Sequence, residues 1–215
     1  MLDVGSIKKL EDRNKTVLVR FDLNVPLDEV SGKVNDRLTR IKNTINQLQE
    51  LNSKIVILSH LGRPKGTNNK DLSLSKITDQ LEEVLNSKIN FINDCIGDEV
   101  KKKINSFNQS SIILLENCRF HKGEEENNLE FAKKLSELAD VYVNDAFGCV
   151  HRSHASVDAI TQYMPSYVGN LLDEELTNLH NITEDPQSPS ITILGGSKIS
   201  TKISVLKNLS IKMDS

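Results

Sequence analysis

Short runs of apolar, mostly β-branched residues alternate along this chain with stretches of helical period. The runs cover residues 16–21, 54–58, 89–92, 111–115, 141–143 and 190–194. Several of them lack the apolar-polar alternation of a half-exposed strand, which is typical of strands buried on both faces of a parallel sheet. The pattern therefore predicts an α/β fold, a three-layer, Rossmann-like parallel sheet with helices on both faces.

The stretches between the runs carry apolar residues spaced three and four apart, which gives each predicted helix one apolar stripe. Three of these stripes consist of Ile41, Ile45, Leu48 and Leu51, of Leu74, Ile77, Leu81 and Leu85, and of Leu129, Ala132, Leu135 and Leu138. A further helical pattern covers residues 168–182.

A polar segment with two prolines, residues 183–189, follows that last pattern and is interpreted as a linker. Beyond it lie one strand pattern and one helical stripe, with Ile199, Ile203, Leu206 and Leu209. One strand and one helix cannot enclose a core. We therefore expect a complete domain over residues 1–182 and only the start of a second, truncated α/β domain over 190–215.

The bulk properties exclude several classes of protein. The 215 residues carry a net charge of -3 and no basic excess, which argues against nucleic acid as a partner. There is no signal-peptide pattern and no apolar stretch of the ~18 residues that span a bilayer, so we expect no membrane association. Three cysteines without CxxC spacing favour a reducing cytoplasm. The charged runs 101–103 and 124–126 are interpreted as solvated faces.

Polar residues follow several of the predicted strands. In open parallel sheets ligands bind beyond the carboxyl ends of the strands, so these loops are the first candidates for a site. They contain Asp22, Leu23 and Asn24, then His60, Leu61, Gly62 and Arg63, then Arg119, and finally His151 and Arg152. Several arginines at one sheet edge of an acidic chain predict an anion, because the guanidinium fork suits phosphate and carboxylate oxygens.

Each of these residues also has an ordinary structural interpretation. A single strand-end arginine is commonly a surface ion-pair partner, and His60 and His151 could be satisfied structural histidines. Asp22 and Asn24 could be turn formers that bond their own backbone. Composition alone leaves these alternatives open.

Five long motifs decide between the alternatives. They are Asp22-Leu23-Asn24-Val25-Pro26, Ser59-His60-Leu61-Gly62-Arg63-Pro64, Leu115-Glu116-Asn117 with Arg119-Phe120, Val143-Asn144-Asp145-Ala146-Phe147-Gly148 with His151-Arg152, and Gly195-Gly196-Ser197-Lys198 with Lys202. In this order they resemble phosphoglycerate kinases, and the chain resembles the first half of a family member. The resemblance implies a phosphotransferase with a carboxyl acceptor. Its reaction is reversible phosphoryl transfer between 1,3-bisphosphoglycerate and ADP, which gives 3-phosphoglycerate and ATP in glycolysis.

The resemblance also implies roles for single residues. Asp22, Leu23 and Asn24 would meet 3-phosphoglycerate, and so would His60, Leu61, Gly62 and Arg63. Arg119 and Arg152 would bind its phosphate. The family has one arginine early in its first long helix, for which Arg37 and Arg40 are candidates here. Arg37 is preferred because its distance from the neighbouring motifs fits the family and because it lies on the side of Ile41 and Ile45.

Four residues near the end of the chain belong, by resemblance, to the nucleotide side: Gly195, Gly196, Lys198 and Lys202. Arg37 and Lys198 are the residues expected to act in catalysis, by stabilising the transferring phosphoryl group. Mg²⁺ would be bound with ATP or ADP, and its protein ligand would lie outside this chain. The full-length form is expected to be a monomer.

Two other functions are compatible with parts of the sequence. One is a free-standing, non-catalytic anion-binding α/β domain, which would differ from the kinase only in the sequence beyond residue 215. The other is a Rossmann dehydrogenase, which is disfavoured because Asp22-Leu23-Asn24 stands after the first strand in place of a G-x-G-x-x-G motif.

Overall fold

The structure is a computed structural model, which describes residues 5–26, 36–184, 186–193 and 203–213, without the side chains of 204–206. The chain forms two compact units, Met1–Asp173 and Glu174–Ser215. The division falls within one helix, Asn170–Glu184. The domain boundary expected at residues 183–189 therefore remains a prediction.

The first unit is built on one parallel sheet of six strands in the order β3-β4-β2-β1-β5-β6. The strands are β1 Thr16–Phe21, β2 Lys54–Leu58, β3 Ile89–Ile92, β4 Ile112–Leu115, β5 Val141–Asp145 and β6 Ser166–Val168. This architecture confirms the predicted fold class.

The strands differ from the prediction in four places. β4 begins one residue later than expected, and β5 continues to Asp145. The helical pattern predicted from residue 168 begins instead with the end of β6, which pairs with β5. Residues 190–193 form no strand, and residue 194 lies outside the described residues. A strand requires a hydrogen-bonded neighbour, and residues 190–193 pair with no described strand.

Of the eight described helices, the first six lie between strands of the sheet and the last two follow β6. They are α1 Asp36–Arg40, α2 Lys42–Glu50, α3 Thr78–Leu85, α4 Asp98–Ser106, α5 Lys122–Glu125, α6 Leu129–Ser136, α7 Asn170–Glu184 and α8 Ile203–Lys212. Several 3₁₀ turns also occur, and one of them, Leu74–Ile77, carries the first half of the stripe predicted for α3.

Side chains from the two faces of the sheet enter two separate apolar clusters. Val17 and Val19 of β1 pack in one cluster, which also contains the apolar faces of α1, α2 and α3. Leu18 points the other way into a cluster with α4 and α6. Because helices cover both faces, all three residues are fully buried. This is the physical reason why β1 shows no polar alternation.

The first turn of α7 is anchored to the end of β5. Asp145 is 1% exposed, and its carboxylate accepts hydrogen bonds from the Thr44 hydroxyl (2.7 Å) and the backbone N–H of Leu172 (2.9 Å). The Thr44 oxygen in turn accepts the N–H of Asn170 at 3.0 Å. A Cβ at Gly169 would lie 2.3 Å from Cγ of Asp145, so only glycine fits there. Backbone N–H groups of the first turn of α7, which have no partner within the helix, are therefore bonded by Asp145 and Thr44.

The second unit exposes large apolar side chains. In its part of α7 these are Leu176, Leu179 and Ile182, and beyond the helix they include Ile191 and Ile193. Of the stripe predicted around α8, Ile203 is exposed, whereas Ile199 and the side chain of Leu206 lie outside the described residues. No described helix combines the length and the apolar character needed to cross a bilayer.

Candidate functional site

The loops predicted to form a site follow four neighbouring strands. β4, β2, β1 and β5 are adjacent in the sheet and all run parallel. Their carboxyl ends therefore lie at one edge, where the loops that leave them meet. The loops begin at Asp22, Ser59, Glu116 and Ala146.

Hydrogen bonds join three of these loops. The N–H of Gly62 donates to Oδ1 of Asn24 at 2.8 Å, and the Gly62 carbonyl accepts from a guanidinium nitrogen of Arg119 at 2.9 Å. The N–H of Leu23 donates to the Ser59 hydroxyl at 3.0 Å. The structure thus brings the predicted residues of the first, second and fourth strand ends together.

Gly62 occupies a position that requires glycine. Its φ of 62° is in the left-handed region, and a Cβ there would lie 2.7 Å from a methyl carbon of Leu72. The adjacent Leu61 is buried, as is Leu23, and both side chains belong to the core cluster of β1. Leu23 and Leu61 therefore can offer a ligand only their backbone groups.

Arg37 contacts the first of these loops. Its guanidinium lies 2.7 Å from Oδ2 of Asp22. The other oxygen of Asp22 accepts the N–H of Asn24 at 3.3 Å, so this residue also forms the local turn that its sequence allowed. Arg40 is near the end of β5, where burial raises the pKa of Asp145 and the charge of Arg40 lowers it in part. Of the two candidate arginines, Arg37 is thus the one beside the predicted loop.

Arg119 is buried without enough partners. It is 2% exposed, and it donates to the Gly62 carbonyl through only one of its nitrogens. Its Nε lies 3.6 Å from Oε1 of Glu125, which is too long for a hydrogen bond. Within the described ranges neither Nε nor the other terminal nitrogen has a hydrogen-bond partner. Buried donors are rarely left unpaired in proteins. These N–H groups therefore point to oxygen atoms of a ligand.

Two further arginines have unused donors. Arg63 is exposed and Arg152 is half-buried. Neither makes a side-chain hydrogen bond or ion pair with any residue in the described ranges. Arg152 is close enough to Arg119 to lower the pKa of that guanidinium, although burial is the larger cause. Mutual repulsion of this kind is relieved by an anion.

His60 lies in the same region and is almost completely buried. Its Nδ1 lies 2.9 Å from a terminal nitrogen of Arg20. Burial lowers the pKa of His60 far below its usual range, and the charges of Arg20, Arg119 and Arg152 lower it further. This histidine is therefore neutral near pH 7.

Sequence reasoning missed Arg20, which stands within β1 and is fully buried. Its Nε donates to the Ser156 hydroxyl at 3.1 Å, and that hydroxyl donates to Oε1 of Glu124 at 2.6 Å. The signal that could have revealed it is a charged residue inside a strand that is otherwise apolar on both faces.

The interpretation of residues 124–126 as a solvated face is wrong for Glu124. This residue is fully buried. Its carboxylate accepts hydrogen bonds from the hydroxyl and the backbone N–H of Ser156, at 2.6 and 2.9 Å, which replace bonds to water. Its charge also compensates that of Arg20 through the shared hydroxyl. Residues 101–103 are exposed, as expected.

Two groups of possible metal ligands occur among the described residues. They are Asp22, His60 and Cys149, and Asp94, Cys95 and His121. Each offers a single carboxylate beside a sulfur and a nitrogen, and burial raises the pKa of both thiols. Mg²⁺ prefers six oxygen ligands. These clusters therefore do not fit Mg²⁺, and all three cysteines are free.

The predicted nucleotide residues Gly195, Gly196, Lys198 and Lys202 lie outside the described residues. Their roles stay predictions. His151, beside Arg152, is exposed.

A family model described as phosphoglycerate kinase matches residues 7–215. The chain belongs to the phosphoglycerate kinase family. Among curated relatives, a phosphoglycerate kinase from Wolbachia sp. subsp. Drosophila simulans (strain wRi) is 46% identical over 215 residues, which are 99% of this chain and 53% of that protein. One from Dictyoglomus turgidum is 47% identical over 204 residues, with coverages of 94% and 51%.

Solved structures of the family agree with this fold. The phosphoglycerate kinase from Coxiella burnetii superposes with a TM-score of 0.84 at 40% identity, over 98% of this chain and 53% of that one. The enzyme from Pyrococcus horikoshii OT3 gives 0.85 at 30% identity, over 97% and 53%. The chain thus spans about half the length of the phosphoglycerate kinases that it matches.

Proposed function

We propose that this chain provides the 3-phosphoglycerate-binding half of a phosphoglycerate kinase. The observation that carries the proposal is the buried guanidinium of Arg119, two of whose nitrogens have no hydrogen-bond partner among the described residues. They lie at the edge of a parallel sheet, where family members are expected to bind their triose phosphate. The complete enzyme would transfer a phosphoryl group reversibly between 1,3-bisphosphoglycerate and ADP, giving 3-phosphoglycerate and ATP.

The substrate has two anionic groups, a phosphate and a carboxylate, and the site has complementary donors. Arg63, Arg119 and Arg152 have unused N–H groups for the phosphate. Charge-assisted hydrogen bonds of this kind contribute roughly 1.5–3 kcal/mol each. Asp22 and Asn24 offer polar side chains to the rest of the substrate. The backbone of residues 60–63 offers further polar groups beside them.

The chemistry needs no general base. In the direction that consumes ATP the nucleophile is the substrate's carboxylate, which is already ionised at pH 7. Rate enhancement then comes from positioning the reactants and from stabilising charge on the transferring group. We assign that electrostatic role to Arg37 and, on the nucleotide side, to Lys198.

Mg²⁺ is proposed to arrive with the nucleotide, whose charge it neutralises. The two described clusters of possible ligands carry sulfur and nitrogen donors and do not suit it. Accordingly, no step is assigned to a metal held by residues of these clusters.

The 215 residues alone are proposed to bind 3-phosphoglycerate weakly and to lack measurable kinase activity. The nucleotide residues expected here are limited to Gly195, Gly196, Lys198 and Lys202. The rest of the family's length, in which we place the adenine site and the metal ligand, would also have to close over the substrate and exclude water.

The setting of the complete enzyme is also a proposal. A cytoplasmic, monomeric phosphoglycerate kinase without nucleic-acid or membrane partners is consistent with three free, buried thiols and a net charge of -3.

The direct test combines two measurements on the purified chain. Isothermal calorimetry with 3-phosphoglycerate should show saturable binding that weakens at raised salt, since charge attraction is screened. A coupled assay with ATP, Mg²⁺ and 3-phosphoglycerate should show no turnover. A folded chain without any binding would refute the substrate site. Turnover close to that of an intact enzyme would refute the proposal that the 215 residues lack kinase activity.

A further inference from the structure

Arg20 uses every one of its donors inside the protein. Nε donates to the Ser156 hydroxyl, and one terminal nitrogen donates to the Phe21 carbonyl and to the Ser59 hydroxyl. The second terminal nitrogen lies 2.9 Å from Nδ1 of His60 and 4.0 Å from Sγ of Cys149. The guanidinium is fully buried. Nothing of Arg20 is left to touch a substrate directly.

This arrangement determines where the proton of His60 is. Arginine in proteins has five N–H donors and no acceptor. Its contact with Nδ1 therefore requires that Nδ1 be an acceptor without a proton. A neutral imidazole with an unprotonated Nδ1 carries its proton on Nε2. In the described part of the chain Nε2 has no hydrogen-bond partner, so its N–H remains available.

We propose that Arg20 is a positioning residue of this site, which holds the proton of the neutral His60 on Nε2 and so presents one fixed donor to the bound anion. The identity of that anion as 3-phosphoglycerate rests on the proposed function, whereas the proton position does not. Rotation of the ring is opposed because it would remove the acceptor from a buried guanidinium.

The surroundings of His60 explain why it stays neutral. The titratable or charged groups around His60 come from β1 and from the neighbouring loops. They are Arg20, Asp22, Arg119, Cys149, Arg152 and His154. Three of them are arginines, and Asp22 is itself paired with Arg37. A second positive charge on the ring would be next to the Arg20 guanidinium at 2.9 Å. The site therefore gains its positive charge from arginines, and the histidine adds a directed donor whose protonation does not change near neutral pH.

The first test uses the unaltered chain and needs no substrate. Long-range ¹H–¹⁵N correlation spectra of the histidine rings distinguish a protonated from an unprotonated nitrogen, and His60→Gln identifies the signals of His60 by their loss. We expect a proton on Nε2 only, unchanged between pH 8 and pH 5.5. Protonation of both nitrogens within this range, or a proton on Nδ1, would overturn the proposal.

The second test removes the guanidinium. In Arg20→Met the tautomer of His60 should become mixed, with part of the proton on Nδ1, whereas burial, the largest cause of its lowered pKa, still keeps the ring largely neutral. The matched control is Tyr142→Phe, which deletes another buried donor of the same cluster, to the Ser156 carbonyl, but leaves the contact with His60. Its His60 spectrum should equal that of the unaltered chain. If Arg20→Met also left this spectrum unchanged, Arg20 would not be the cause.

A titration with 3-phosphoglycerate at pH 6 and pH 8 then connects the proton to binding. Because the phosphate of the substrate itself titrates at about pH 6, the ratio of the two affinities is compared between chains. It should agree within about threefold between the unaltered chain and His60→Gln, whereas Arg20→Met should lower the affinity more than threefold at both pH values. If no binding occurs at all, the proposed substrate fails while the spectra still decide the role of Arg20. If Arg20→Met does not fold, the spectra of the unaltered chain remain the deciding result.

Discussion

The carboxylate of Asp145 accepts the backbone N–H of Leu172 across 2.9 Å. Asp145 ends β5, one of the strands that lead into the candidate site, and Leu172 lies in the first turn of α7. A carboxylate at a helix N-terminus is favoured by the helix dipole and provides partners for N–H groups that lack them. The strand end and the helix start are thus held in one geometry.

Removal of this carboxylate should destabilise the fold. We expect Asp145→Ala to lower the free energy of unfolding by about 2–4 kcal/mol, because the bonds of Leu172 and Thr44 to a charged group are lost. Urea denaturation followed by circular dichroism measures the change. Asp140→Ala is the matched control, since its exposed carboxylate also accepts a backbone N–H, from Thr16 at 2.8 Å. Equal losses in the two variants would contradict the anchoring role.

Arg152→Ala should weaken binding of 3-phosphoglycerate without disturbing the fold. The side chain has no partner among the described residues, so we expect a loss of roughly 1.5–3 kcal/mol in binding free energy by calorimetry. Lys88→Ala removes the same charge just before β3, at the opposite edge of the sheet, and should leave the affinity within about twofold. An unchanged affinity in Arg152→Ala would remove this residue from the site.

Arg119→Met should separate binding from stability. The substitution deletes one hydrogen bond to the Gly62 carbonyl and two buried nitrogens that have no hydrogen-bond partner among the described residues, so the free energy of unfolding of the ligand-free chain should fall by no more than about 1–2 kcal/mol. Affinity for 3-phosphoglycerate should fall at least about tenfold. Urea denaturation and calorimetry on the same preparation provide both numbers. A stability loss well above about 2 kcal/mol would show that Arg119 is mainly structural.

The pH dependence of stability should include a contribution from His60. Its pKa is lowered in the folded state, so below about pH 6.5 the unfolded chain binds a proton that the native chain does not, and stability is lost as the pH falls. Between pH 7.5 and pH 5.5 this amounts to about 1.4 kcal/mol. His60→Gln, whose amide oxygen can still accept from Arg20, should lack this part of the decline. Identical pH dependence in both chains, measured by urea denaturation, would contradict it.

Lys198→Ala is informative in a longer chain that contains the other half of the family's length. If Lys198 acts on the transferring phosphoryl group, kcat should fall far more than the affinity for 3-phosphoglycerate. Steady-state kinetics beside calorimetry make the comparison. A loss of affinity with unchanged kcat would assign Lys198 to substrate binding instead.

The sheet was largely predictable because its strands are continuous apolar runs. β1, β2 and β3 have the predicted bounds. For β1 and β2, burial on both faces leaves an apolar signal that needs no partner strand to be recognised. β6 has only three residues, of which only Val168 is buried, so no pattern marks it. Its pairing with β5 comes from tertiary structure.

The loops of the site were predictable from the sequence, but the buried charged residues that contact them were not. Motifs at the strand ends led to His60 and Arg119, which the structure brings close together. Arg20 and Glu124 were missed because sequence patterns assign charged residues to the surface. The contacts that bury them come from distant parts of the chain: Ser156 bonds both residues, and Ser59 accepts from Arg20.

The strand order has a consequence for synthesis of the chain. β1 pairs on one side with β2 and on the other with β5, where Val17 lies opposite Val141. At roughly 5–20 residues per second, a ribosome needs several seconds to proceed from the end of β2 to β5. During that time the central strand has an unpaired, apolar edge. Nascent chains that end between residues 60 and 140 are therefore expected to depend on ribosome-associated chaperones, and this dependence should disappear once Val168 has emerged.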